Sequence, residues 1–82
     1  MNRIMVLFFA NLRDYAGSKS LSIEIPTGSD VQTFKKLLVQ QNANLEKAMQ
    51  TVLVSINHEY AFDEDVIPDG AEVALFPPVS GG

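Results

Sequence analysis

The sequence closes on "FPPVSGG", and the groups able to do chemistry are gathered there. Pro77 and Pro78 fix φ and favour an extended path leading away from whatever precedes them. From Pro77 to Gly82 the reach is at most about 20 Å. Gly81 and Gly82 lack Cβ atoms, so the walls of a partner's channel can close directly on their backbone. A chain ending at this point carries the Gly82 α-carboxylate as its reactive group, with the Ser80 hydroxyl as the tail's other polar function. A carboxylate is a poor electrophile. It becomes an acyl donor once a partner converts it to a mixed anhydride with AMP. Attack of sulfide on that adenylate gives a terminal thiocarboxylate, a soft nucleophile able to deliver sulfur elsewhere.

No other constellation competes with the tail. There is no cysteine, which excludes disulfides, thiolate nucleophiles and Cys-based metal sites. His58 is the single histidine; it falls in a loop-like stretch and reads as a surface residue without a catalytic role. "GSDVQTF" opens a helix but lacks the glycine spacing and the lysine of a phosphate-binding loop. The chain is therefore expected not to be catalytic alone, to bind no cofactor of its own and to hold no metal.

The elements that must position the tail follow from pattern. Eighty-two residues make one domain, 1–82, with 76–82 as its extended tail. Apolar content of 46% with 20% charged residues is that of a globular chain. Ile4 to Ala10 is a continuous apolar run; although Arg3 precedes it, no small-residue cleavage site follows, so it reads as a buried strand of a cytoplasmic protein. The run is also too short to span a bilayer. "LSIEI" alternates as a half-buried strand ended by Pro26. Ser29 or Asp30 caps a helix, with Gln32 spaced from Ser29 as in a capping box. Val31, Phe34, Leu37, Leu38 and Gln41 mark that helix's apolar face, "QNAN" ends it, and "LEKAMQ" adds a short turn. "TVLVSIN", a short "EYAF" and "EVALF" supply the remaining strands, with Pro68, Asp69 and Gly70 forming a turn.

The order β-β-α-β-(β)-β predicts an α+β fold, one main helix on a mixed sheet of four to five strands. With the first and last strands side by side in the centre it is the ubiquitin-like β-grasp. One helix covers one face of a sheet, yet "IMVLFFA", "VLVSI" and "VALF" are apolar on both. A solvated face should alternate, so part of the second face lies under loops or is an exposed apolar interaction site. Met5, Phe9 and Phe76 are its markers. Charge is asymmetric too. The net charge is −4, and all six Lys and Arg lie within the first 47 positions. Six acids (Glu59, Asp63, Glu64, Asp65, Asp69, Glu72) follow with no base among them. That balance argues against nucleic acid and anionic membrane as partners. It is compatible with a solvated rim or with steering of the tail toward a basic partner surface.

"VLFFANLRDYAG" near the start and "DGAEVALFPPVSGG" at the end resemble the small subunits of molybdopterin synthase, the MoaD-type sulfur carriers of the ThiS-MoaD family. The resemblance spans essentially the whole chain, and "FPPVSGG" is its most specific piece. It implies that Gly82 is adenylated by an E1-like activating enzyme, which consumes ATP, and is then converted to a thiocarboxylate. It implies that the tail (Phe76, Pro77, Pro78, Val79, Ser80 and Gly81) threads into a large subunit. There sulfur passes to a pyranopterin precursor in molybdenum cofactor biosynthesis, within a heterotetramer of two small and two large subunits. Arg13, Gly17 and Asn57 match further recurrent family positions. Ala71 departs from the family, which commonly has Asp there, and puts a turn hydrogen bond or a partner contact in question. A thiamine-type sulfur carrier or a protein modifier shares the Gly-Gly ending, and an interaction module that is never activated shares the fold.

Overall fold

Alternation governs the first strand. In β1 (Asn2–Phe8) Ile4, Val6 and Phe8 are buried to 2% exposure or less, while at the alternate positions Arg3 and Met5 are exposed and Leu7 is half-buried. Successive side chains point to opposite faces of a strand, so the apolar run is not buried on both sides. The strand also stops two residues before the expected Ala10. Ala10 takes φ 54°, a left-handed conformation that ends the ladder. The chain then turns into α1 (Leu12–Ala16), which the polar letters "NLRD" did not foretell. Gly17, at φ 80°, caps it and donates its N–H to Arg13 O at 2.8 Å. The glycine matched to the family is thus a helix cap, where a left-handed φ is needed.

The computed structural model describes residues 1–78. β2 (Ser20–Ile25) runs antiparallel to β1 and buries Ile23 and Ile25. α2 (Val31–Gln41) buries Val31, Phe34 and Leu38. Gln41, expected on that face, is the last residue of the helix and is exposed. Asp30 is the N-cap, its Oδ1 accepting from Thr33 N at 2.8 Å. Ser29 does not cap, and the expected box with Gln32 does not form. The Ser29 hydroxyl donates instead to Pro26 O at 2.6 Å, closing the preceding turn. Asn42 ends α2, and its side-chain amide donates to Tyr15 O and Ala16 O, each at 3.2 Å, which ties α1 to the helix terminus. Two 3₁₀ turns, Ala43–Leu45 and Ala48–Gln50, occupy the stretch expected to add a turn, and they bury Leu45 and Met49.

β3 (Leu53–Ile56), β4 (Glu59–Ala61) and β5 (Glu72–Phe76) complete a five-stranded sheet in the order β2-β1-β5-β3-β4. β1 and β5 pair in parallel at its centre, and the other neighbours are antiparallel. This is the ubiquitin-like β-grasp, as the element order led us to expect. One core lies between α2 and the sheet face bearing Ile4, Val6, Phe8, Val73 and Leu75. Burying roughly 1.5–3 kcal/mol per large apolar side chain is what holds so small a sheet to its single helix. Ala71, 1% exposed, belongs to this core. The turn before it is held by Asp69, whose Oδ1 accepts from Arg3 N at 2.8 Å, and by Gly70 N–H donating to Arg3 O at 2.8 Å.

Candidate functional site

The tail leaves the central strand. β5 is flanked on both sides, with Phe8 opposite Leu75 on β1 and Leu53 opposite Phe76 on β3. Phe9 N–H still donates to Leu75 O at 3.1 Å beyond the end of β1. Pro77 and Pro78 therefore start from a fixed point. Val79, Ser80, Gly81 and Gly82, the expected reactive end and half of the threaded segment, lie outside the described residues.

Parity places Phe9 and Phe76 on the sheet face opposite the core. Their rings stack with centroids 4.7 Å apart and planes 14° from parallel. Tyr60 on β4 meets Phe76 edge-on at 6.5 Å. Offset-stacked and edge-to-face arrangements of this kind are favourable beyond the area they bury. Arg13, reaching back from α1, donates Nε–H to Phe8 O at 3.1 Å and holds its guanidinium carbon 6.0 Å from the Phe9 ring centroid, within cation–π range. The arginine matched to the family thus braces the aromatic pair at the root of the tail.

Met5, Leu53 and Tyr60 extend this face and are 43%, 37% and 76% exposed. None of them belongs to the core, and neither do Phe9 and Phe76. Of the two alternatives for the second face, an exposed apolar patch is the one present. Met5, Phe9 and Phe76 were legible as its markers. Leu53 and Tyr60 were missed, because a Leu beside Val and a Tyr beside Ala carry no parity signal until the β3–β4 register is known. A separate cleft of about 460 Å³ lies between α1, the 3₁₀ turns and Pro77–Pro78.

Asn57 has a structural task. It and His58 form the two-residue turn between β3 and β4, at φ 50° and 73°, the left-handed pair a tight hairpin requires. Asn57 N–H donates to Glu72 O at 2.8 Å, and its Oδ1 accepts from Glu72 N at 2.9 Å. This double link fixes the start of β5. His58 is exposed on the turn, its Nε2 3.6 Å from a Glu72 carboxylate oxygen.

The acids do not form one rim beside the tail. Asp63 pairs with Lys35 at 2.8 Å, Asp65 accepts from Phe62 N at 2.7 Å, and Asp69 is bound to the start of β1. Glu59 and Glu72 lie at the end of the sheet away from Phe76, as the β3–β4 and β3–β5 registers require. On the far edge of the same face, Arg3 pairs with Glu24 at 2.8 Å and holds that carboxyl below the usual carboxylate range. Among the described residues no group of three or more His, Cys, Asp and Glu could hold a metal ion, and no helix is long and apolar enough to cross a membrane.

The model of the ThiS family matches residues 6–82. The chain belongs to the ThiS family. It is 35% identical over 79 residues to the molybdopterin synthase sulfur carrier subunit of Arabidopsis thaliana, an alignment covering 96% of this chain and 82% of that one. Its fold superposes on the small archaeal modifier protein 1 of Haloferax volcanii with a TM-score of 0.86 and 29% identity, covering 99% of this chain and all of the other. It also superposes on a chain from the complex of subunits 1 and 2 of the molybdopterin-converting factor of Helicobacter pylori, with a TM-score of 0.68 and 20% identity over 98% of this chain and 99% of that one. At that identity the likeness concerns the fold alone.

Proposed function

We propose that the protein is the sulfur carrier subunit of a molybdopterin synthase. An E1-like enzyme adenylates Gly82: the carboxylate attacks the α-phosphorus of ATP and pyrophosphate leaves. Sulfide then displaces AMP and leaves a thiocarboxylate. Bound to the large subunit, in a heterotetramer of two small and two large chains, the thiocarboxylate sulfur attacks a carbon of the pyranopterin precursor and displaces an oxygen substituent; water then cleaves the acyl–sulfur bond, which leaves the sulfur on the pterin and restores the Gly82 carboxylate. The large subunit supplies the catalytic groups; this chain supplies the sulfur and its delivery.

The observation that carries this reading is the anchoring of the tail root. Phe76 is clamped on the central strand against Phe9, and the apolar face around it is uncovered. A partner that draws in Pro77 to Gly82 meets that face at the same time. Docking energy gained there is available to place the reactive carbon, and misplacement near 1 Å can cost roughly 100-fold in rate. Activating enzyme and large subunit use the same face on this account, so they exclude one another. The test is intact mass of the full chain after incubation with its E1-like enzyme, ATP and a sulfide source. Replacement of one oxygen by sulfur at Gly82 is expected; an unchanged mass would refute activation.

The likeness to an archaeal modifier favours a second reading, in which activated Gly82 is passed to an amine of another protein. It predicts isopeptide-linked conjugates where the first reading predicts a free thiocarboxylate.

A further inference from the structure

The uncovered face is not flat. Register places Leu7 opposite Ala74, Ala74 opposite Ser55 and Ser55 opposite Tyr60, a row across β1, β5, β3 and β4. The row reads large, small, small, large. Ala74 and Ser55 are each 7% exposed, whereas Tyr60 stands out at 76%. The dent between them has a volume of about 240 Å³. The stacked Phe9–Phe76 pair forms the wall toward the tail, and Glu72 with His58 forms the wall at the other end. Small-molecule sites run to about 300–1,000 Å³ and bury most of their ligand, so this dent is undersized for one. It is suited to a single side chain.

We propose that the dent is a socket for one apolar side chain of the large subunit (leucine, methionine or an aromatic) with a lysine or arginine beside it that meets Glu72. The proposal rests on the sulfur-carrier reading for the identity of the partner. Three features select this occupant. Phe76 is both a wall of the socket and the residue before Pro77, so a partner holding the tail covers the socket. Three sides of the socket are apolar or aromatic, and hot spots sit in such central, desolvated pockets. The fourth side carries the Glu72 carboxylate, so a basic neighbour is matched and an acidic one is repelled.

Filling the socket tests it. Ala74→Leu raises the floor, and Tyr60→Ala, at a mostly exposed position, removes a wall without touching the core. Each is expected to weaken binding of the purified large subunit at least about tenfold, while Ser55→Ala, which keeps the floor low, stays within about threefold. Melting curves recorded in parallel are expected to stay close to wild type for Tyr60→Ala, so lost binding there is not lost fold. Unchanged affinity in Ala74→Leu and Tyr60→Ala, with the wild-type chain binding and transferring sulfur, overturns the socket and leaves the carrier reading standing. A wild-type chain that does not bind the large subunit overturns both. Sedimentation of the isolated chain as a dimer that Ala74→Leu dissolves would make a second copy the occupant and overturn the assigned partner.

Discussion

Phe8 and Phe9 are neighbours in sequence and opposites in role, and replacing each by alanine separates core from docking face. Phe8 is 2% exposed and sits among Ile4, Val6 and Leu75. Losing a buried ring leaves a cavity and costs about 3–5 kcal/mol, against a total stability of about 0.05–0.15 kcal/mol per residue. A domain of this size loses about 4–8 °C in melting temperature per kcal/mol, so Phe8→Ala is expected to melt about 12–40 °C lower. Phe9 loses its stack on Phe76, worth about 0.5–1.5 kcal/mol, and an exposed cation–π contact with Arg13, worth about 0.5–1 kcal/mol. Phe9→Ala should therefore melt only about 4–20 °C lower, and well above Phe8→Ala measured beside it. Calorimetry at a temperature where Phe9→Ala is folded should show binding of the large subunit weakened by at least about tenfold. If Phe9→Ala melts as low as Phe8→Ala, the ring is a core residue. If it melts mildly and binds normally, the uncovered face is not the docking surface. Either result refutes the reasoning.

Three further outcomes follow from particular contacts. His58→Gly should raise the melting temperature by a few degrees, because a left-handed non-glycine residue costs about 1–2 kcal/mol and the freedom glycine adds to the unfolded chain offsets only part of that. Asp30→Ala should melt lower than wild type at neutral pH. The Thr33 N–H holds the Asp30 carboxyl below its ordinary value, so its contribution is present above the unfolded value of about 3.9 and is lost as pH falls through the folded one; the melting temperatures of the two proteins should approach one another progressively as pH is lowered below about 3.9. Association with the large subunit should slow as salt is raised while dissociation changes little, because rim charges act on encounter and the Debye length is about 8 Å at physiological ionic strength. Glu59, Glu64 and Glu72 can be replaced jointly by glutamine without removing the contacts that Asp63, Asp65 and Asp69 make within the fold, and that replacement should reduce the dependence.

What could be read from the letters and what could not divides along physical lines. The exit from the last strand was legible at Pro77 and Pro78, because proline restricts the backbone wherever it stands; the glycine end lies outside the described residues. The β-grasp followed from element order, since one helix and a central parallel pair leave few ways to pack. The helix cap was misassigned between neighbours: Ser29 and Asp30 are both good caps, and only the chain path, which turns the Ser29 hydroxyl back to Pro26, decides between them. α1 was invisible because five residues have no periodicity, and it forms through Gly17 and through Asn42 bonding its end. The dent floored by Ala74 and Ser55 is a property of register across four strands, which no single stretch of sequence contains.

The central claim is that the group activated is the free carboxylate of Gly82, and a one-residue extension tests it most directly. Gly82 follows the last strand by several residues and two prolines in sequence, and changes away from cores and caps normally alter stability by no more than about 0.5 kcal/mol, so melting curves of wild type, of the chain lacking Gly82 and of the chain with one alanine added after Gly82 should nearly coincide. Molybdopterin formation, measured on the same three proteins with activating enzyme, ATP, sulfur source, large subunit and pyranopterin precursor, should occur with wild type alone. Formation at the wild-type rate by the extended chain, with its mass showing that the alanine has not been trimmed, would contradict the account.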